Sequence, residues 1–196
     1  LGFTKKFGES LMYHYFKIST KTVNKNFTIV RFGNVVGSSG SVLPIFIKQI
    51  QNNEPLTVTH KKVERYFMSI TEAVQLVIQS SHLSNGFNIF ALDMGQQLNI
   101  YDIAKRIIRL SGNTLKNKDN PFGDVEIKII GLKKGEKLSE EVSLGNKLSK
   151  TKYKKIFRCD ENLFNRNIEN NFYKISKILD NGEVSYEKIK QLVLDK

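Results

Sequence analysis

The stretch that most constrains this chain is a short apolar run, Ile29, Val30 and Phe32, that ends in Gly33-Asn34 and opens into the loop Gly37-Ser38-Ser39-Gly40-Ser41. Such a run reads as a central, buried parallel strand, and in open α/β sheets the carboxyl ends of these strands face the crevice where ligands bind. Glycine lets the backbone approach a ligand without a Cβ clash, and serine adds short hydroxyl donors, so the loop suits a phosphate or a sugar. The same residues also make an ordinary turn between a strand and a helix, and a short glycine pattern does not separate the two.

The chain around this loop has a definite order of motifs. Arg31 to Val35 read RFGNV, Gly37 to Val42 read GSSGSV, Pro44 follows, Thr57 to His60 read TVTH, and Arg65 to Met68 read RYFM. LGFTKKFGE stands at the start, ALDMGQQLNIYDIAKRIIRLSG in the middle and GLKKGEKLSEE later. Over residues 1 to 145 this order resembles the polysaccharide-biosynthesis branch of the extended short-chain dehydrogenases/reductases, of the UDP-N-acetylhexosamine 4,6-dehydratase type. The resemblance implies an α/β fold: the carboxyl half of an extended Rossmann-type domain, with the last strands of the sheet and most of the smaller substrate domain. It also implies a nucleotide-sugar enzyme that uses NAD(P), bound mainly by an amino-terminal half, and acts on a UDP-sugar.

The resemblance carries roles onto particular residues. Lys5 matches the Lys of the family's YxxxK pair, which positions the nicotinamide ribose and lowers the pKa of the Tyr; Leu1 stands where that Tyr would be and has no ionisable group. Phe32 and Val35 fall on the cofactor side, while Asn34, Ser41, Val42, Thr57, Arg65, Lys133 and Glu136 fall on the UDP-sugar side. Arg65 offers a planar fork that takes two oxygens of a diphosphate, and Glu136 would accept hydrogen bonds from ribose hydroxyls. In GLKKGEK, Lys133 replaces the family's Arg and Lys134 its Pro, which keeps the charge and loses the fork. On spacing alone, Lys5 reads as a surface lysine, while Arg65 is equally a surface ion-pair residue and Glu136 equally a solvated turn carboxylate. His60, alone beside a turn, reads as structural.

Periodicity supplies the scaffold. Phe3, Phe7, Leu11, Tyr15 and Ile18 recur at helical spacing from the first residues, so the chain is expected to begin inside a fold; no GxGxxG or GxxGxxG is present. The expected amino-terminal half would carry the cofactor's diphosphate loop, and this chain alone is expected to be inactive. Leu43 to Ile50 reads as a helix with Pro44 in its first turn, and Leu56 to Thr59 as an edge strand. Thr71 is expected to cap a helix with Ala73, Val74, Leu76, Val77 and Ile78 on its apolar face. Phe87 to Leu92 and Val125 to Ile130 read as strands, and Ile100 to Leu110 as a helix stopped at Ser111-Gly112. The division expected is an enzyme part over residues 1–148 and a helical basic tail over 149–196, with helices at Leu163 to Leu179 and Tyr186 to Leu194.

Composition narrows the class. The 196 residues are 40% hydrophobic, enough for a real core, and no apolar run approaches the roughly 18 residues of a membrane span. One cysteine, Cys159, excludes an internal disulfide and a cysteine zinc cluster, consistent with a reducing cytoplasm. The net charge of +12 raises a polyanionic partner, and Lys147 to Arg158 carry six positive charges and no acid. A charge run of this kind reads as a solvated face; no nucleic-acid motif accompanies it. A homo-oligomer remains open. The rival functions are an epimerase or reductase of the same superfamily and, from a different class, a basic nucleic-acid-binding module.

Overall fold

The computed structural model describes residues 2–19, 26–38, 40–140, 148–160, 167–182, 187 and 191–192. The chain forms α1 (Gly2–Ser19), β1 (Phe27–Arg31), β2 (Asn34–Val35), α2 (Val42–Gln51), β3 (Leu56–Val58), β4 (Glu64–Arg65), β5 (Phe67–Met68) and α3 (Ile70–His82). Then come β6 (Phe87–Leu92), β7 (Leu98–Asn99), α4 (Ile100–Leu110), β8 (Leu115–Lys116), β9 (Val125–Ile129), β10 (Leu148–Lys150), β11 (Ile156–Cys159) and α5 (Ile168–Asp180).

The larger sheet has the order β1-β6-β11-β10. β1 and β6 run parallel from Phe27↔Phe87 to Arg31↔Ala91, and β11 lies antiparallel on the other edge of β6. Alternation along β6 divides its side chains between two layers. Phe90 and Leu92 pack with Met68, Ala73, Leu76 and Ile156 beneath α3, while Ile89 and Ala91 meet Cys159 and the Tyr13 of α1. Aromatic rings anchor that second layer: Tyr13 stands edge-on to Phe87 at 5.0 Å between centroids. Phe7 of α1 stacks on Phe172 of α5.

A second layer system holds the parallel strands β3-β9-β8 against α2 and α4. Its core is Phe46, Leu56, Val58, Val63, Ile100, Ala104, Ile108 and Val125. Two short ladders join the systems: β2 pairs parallel with β5, and β4 pairs antiparallel with β7.

Four expectations change. β1 has β6 as its one strand partner among the described residues, so it lies at the edge of the described sheet and not at its centre. The cap of α3 is Ser69, whose Oγ accepts from the Glu72 amide, because Ser69 and Glu72 have the Ser-x-x-Glu spacing that reaches back over the first turn. Ala73, Leu76 and Ser80 are the residues α3 buries; Val74, Val77 and Ile78 are exposed, since the sheet covers only a narrow stripe of the helix. The tail expected to be helical from 149 first adds β10 and β11 to the main sheet, with Ile156 and Cys159 buried. Three or four residues suffice for a strand when a neighbour supplies the ladder; β6 supplies it for β11, and β11 for β10. The charges of the basic run lie outward at Lys150, Lys152, Lys154, Lys155 and Arg158, and Lys155 pairs with Glu72. Helical structure begins at α5, and the Asn171 side chain donates to the Leu192 carbonyl at 2.7 Å. The helix expected at 186–194 and Ser39 of the glycine loop lie, the former for the most part, outside the described residues, as does Leu1.

Candidate functional site

Arg65 is fixed by the strand that carries it. β4 is only two residues long, but its pairing with β7 (Glu64↔Asn99, Arg65↔Leu98) and the Glu64 amide's bond to the Leu138 carbonyl, 2.8 Å, hold it against the turn after β9. In that turn Gly135 takes φ +80°, where a side chain would be strained, and Glu136 comes back toward β4.

The Arg65 guanidinium then meets four acceptors. One terminal nitrogen donates to Glu136 Oε1 at 3.1 Å, and the other to the carbonyls of Glu64 and Leu138 at 2.7 and 3.2 Å. Nε lies 3.4 Å from Glu140 Oε1. Glu136 is held from two further sides: Thr59 Oγ1 donates to Oε1 at 2.8 Å and the Lys133 amide to Oε2 at 3.0 Å. The side chains of Arg65 and Glu136 are 12% and 19% exposed, so the charge pair sits in partial shelter from solvent. Segments about seventy positions apart thus share one network.

The glycine loop reaches the same region through the β2–β5 ladder, in which Asn34 pairs with Phe67 and its amide donates to the Tyr66 carbonyl at 3.2 Å. A Cβ on Gly33 would lie 2.9 Å from Tyr66 Cβ, 3.4 Å from the Met94 methyl and 3.5 Å from a Glu140 carboxylate oxygen, so glycine is needed for this approach. Ser41 is the N-cap of α2 and makes no capping bond; its hydroxyl is buried and has no hydrogen-bond partner among the described residues. A buried hydroxyl left without a partner is costly, and it stands beside the unsatisfied amides of a helix start, where anions bind.

The other sequence-picked residues are distributed as follows. Val42 opens α2 and packs on the core. Thr57 is engaged by Gln49, whose amide donates to its hydroxyl at 2.9 Å and whose carbonyl accepts from its amide at 3.2 Å. Lys133 joins the network through its main-chain amide, with its side chain exposed. Phe32 is 39% exposed at the end of β1, and Val35 lies in β2 against the α3 layer. Lys5 is exposed on α1, one helical turn before Glu9, whose carboxylate binds Arg31 at the end of β1. Asn34, Arg65 and Glu136 are brought to neighbouring segments.

Two residues of the network escaped sequence reasoning. Thr59 lies inside the TVTH motif, and Glu140 lies four positions after Glu136 in GEKLSEE; that recurrence was the available signal. Glu140 also borders a cavity of about 410 Å³ lined by Tyr66, Leu92, Asp93, Met94 and Gln97 among others. Among the described residues no group of His, Cys, Asp and Glu could hold a metal, and no helix is long and apolar enough to cross a membrane.

A mixed sheet with a parallel β1–β6 pair and helices on both faces, a glycine loop after β1 and an arginine–carboxylate network on the segment it pairs with define an α/β protein of the extended short-chain dehydrogenase/reductase class. The chain belongs to the family described as polysaccharide biosynthesis protein, whose model matches residues 1–161. It is 46% identical over 142 residues to the probable polysaccharide biosynthesis protein EpsC of Bacillus subtilis, covering 72% of this chain and 22% of that protein. It is 43% identical over 159 residues to the capsular polysaccharide biosynthesis protein CapD of Staphylococcus aureus, covering 81% and 25%. A UDP-glucose 4-epimerase of Rickettsia bellii is 32% identical over 133 residues, 68% of this chain and 35% of that one. Among solved structures, that of Pen from Bacillus thuringiensis superposes with a TM-score of 0.63 at 30% identity, over 81% of this chain and 47% of the other. The chain therefore spans about a quarter of the length of EpsC and CapD.

Proposed function

We propose that this chain supplies the UDP-sugar site of a nucleotide-sugar 4,6-dehydratase that acts on a UDP-N-acetylhexosamine in surface polysaccharide biosynthesis. The observation that carries the reading is the sheltered Arg65 guanidinium, on the segment that the β2–β5 ladder joins to the glycine loop, where the Ser41 hydroxyl is buried and has no hydrogen-bond partner among the described residues. A diphosphate would give that hydroxyl and the α2 amides an acceptor and offer two oxygens to the guanidinium fork in exchange for acceptors it already holds. Asn34, on the strand next to Tyr66, is assigned to the sugar side of the same ligand. Glu136 keeps Arg65 oriented and, with Lys133, frames the nucleotide. Family membership and the polysaccharide-biosynthesis relatives support the substrate class.

Lys5, exposed on α1, and Phe32, just after β1, are assigned to the nicotinamide end of NAD(P). An exposed ammonium can take ribose hydroxyls and an exposed ring can cover an apolar face, and Val35 is assigned to the same wall. NAD(P), when bound, supplies hydride acceptance from the sugar's C4 and return at C6, with water lost across C5 and C6. This chain's part is to bind and orient the sugar nucleotide. The amino-terminal part is assigned the cofactor's diphosphate and the remaining acid/base groups, and the reading sets the reaction in the cytoplasm, with no nucleic-acid partner.

A second reading, 4-epimerisation, is favoured by the UDP-glucose 4-epimerase relative. Product analysis separates them. The chain joined to the amino-terminal part of such a relative and given UDP-N-acetylglucosamine with NAD(P) is expected to yield a 4-keto-6-deoxy sugar nucleotide. A C4 epimer with C6 still hydroxylated would replace the dehydratase reading by the epimerase one.

A further inference from the structure

Arg65 holds two carboxylates that differ in how firmly they are held. Glu136 receives three donors, from Arg65, Thr59 and the Lys133 amide, between 2.8 and 3.1 Å. Glu140 has a single ion-pair contact among the described residues, to Arg65 Nε at 3.4 Å, longer than the roughly 2.7–2.9 Å of a good charge-assisted bond. Its side chain is 36% exposed against 19% for Glu136. One guanidinium between two carboxylates leaves the cluster with an excess negative charge, which opposes any arriving anion. The two other acceptors of Arg65 are main-chain carbonyls of β4 and the turn, which cannot leave without unfolding them. Glu140, in contrast, borders the cavity of about 410 Å³ and has room to move into it.

We propose that Glu140 is a displaceable counter-ion: it occupies Arg65 Nε in the empty site and is expelled into the neighbouring cavity when a nucleoside diphosphate engages the fork. This rests on the reading of Arg65 as the diphosphate donor. Glu140 is then a positioning residue that acts through Arg65, holding the guanidinium in plane before the ligand arrives and selecting for anions strong enough to displace a carboxylate. Asp93 lines the same cavity, with one carboxylate oxygen accepting from the Gly95 amide at 2.9 Å, and so provides an internal control for charge alone.

The test is calorimetric titration of the chain with UDP and with uridine at low salt, comparing the parent with Glu140→Gln, Asp93→Asn and Arg65→Ala, each checked for an unchanged thermal midpoint. Displacement of a partly exposed ion pair predicts that Glu140→Gln tightens UDP about two- to fivefold and leaves uridine unchanged. Asp93→Asn leaves both unchanged. The inference is overturned if Arg65-dependent UDP binding is not tightened by Glu140→Gln, or if Asp93→Asn tightens it equally, which marks a general field effect. UDP binding that ignores Arg65→Ala removes the diphosphate reading itself and the inference with it.

Discussion

Arg31 and Glu9 meet through two hydrogen bonds, Nε to Oε1 at 2.8 Å and a terminal nitrogen to Oε2 at 2.5 Å, with side chains 13% and 14% exposed. The pair ties α1 to the last residue of β1. Lys5, the residue assigned to the cofactor, stands one helical turn before Glu9 on the helix that this pair anchors.

Removing Glu9 takes a two-point carboxylate contact from a sheltered guanidinium. Glu9→Ala is expected to cost roughly 3 kcal/mol of unfolding free energy, and Glu9→Gln less, because a neutral acceptor remains. Urea unfolding followed by circular dichroism measures both. A loss under about 0.5 kcal/mol for Glu9→Ala would mean the pair is no better than a surface salt bridge.

Two glycines should respond to alanine in opposite directions. Gly8 lies within α1 with nothing within 4 Å of an added Cβ, whereas a Cβ on Gly123 would lie 2.5 Å from the Leu115 carbonyl oxygen and 2.6 Å from the Lys116 nitrogen. The first change removes the entropy of a helical glycine and should stabilise by about 0.5–1 kcal/mol. The second forces the 117–124 connection away from β8 backbone that cannot yield, and should cost about 1–3 kcal/mol. Thermal midpoints that move in the same direction would contradict this packing.

Asp124 accepts hydrogen bonds from the Thr114 hydroxyl and amide, both at 2.7 Å, and these hold its pKa below the ordinary Asp value, the hydroxyl contributing most. A carboxyl whose folded pKa is depressed adds stability that is present above its unfolded pKa, about 3.9, and is lost as pH falls through the lower folded value. Thr114→Val should therefore raise the Asp124 pKa and flatten the stability curve in that acid window, with little change at pH 7 in its slope. Carboxyl chemical shifts followed through an acid titration decide it; an Asp124 pKa unchanged in the variant would leave the hydroxyl without its assigned effect.

What was legible in the sequence follows from how local the signals are. α2, α4, β6 and β9 carry their own periods or apolar runs and appear close to where periodicity puts them. β10 and β11 carry no such period: the four mixed residues of β11 become a strand because β6 offers a free edge, and Leu148–Lys150 then pairs on β11. Val74, Val77 and Ile78 look like a core face because helical spacing counts apolar residues and cannot count how much sheet there is to cover them. Arg65 and Glu136 were each visible as motif members, but their contact depends on Gly135 turning the chain and on β4 pairing with β7, which are tertiary facts. Glu140 carried only its four-position recurrence after Glu136, a signal that takes on meaning once Arg65 is in place.

The last prediction concerns Arg65 itself. On the proposed reading, in the chain joined to the amino-terminal part of such a relative, Arg65→Ala removes the strongest donor to the phosphates, and losing one hydrogen bond between charged groups costs about 1.5–3 kcal/mol, or roughly ten- to a hundredfold in UDP affinity. The same change also removes one of the three donors to Glu136 and one of the two to the Leu138 carbonyl, so some of the loss reflects a loosened turn. Uridine separates the two contributions. It lacks phosphates, so a loosened turn weakens uridine and UDP alike, whereas loss of the fork weakens UDP alone. Arg65→Lys keeps a charge that can still reach Glu136 but presents a point donor in place of a planar pair, and should recover only part of the UDP affinity. Full recovery by lysine would reduce the role of Arg65 to charge, and equal losses for UDP and uridine would reduce it to holding the turn.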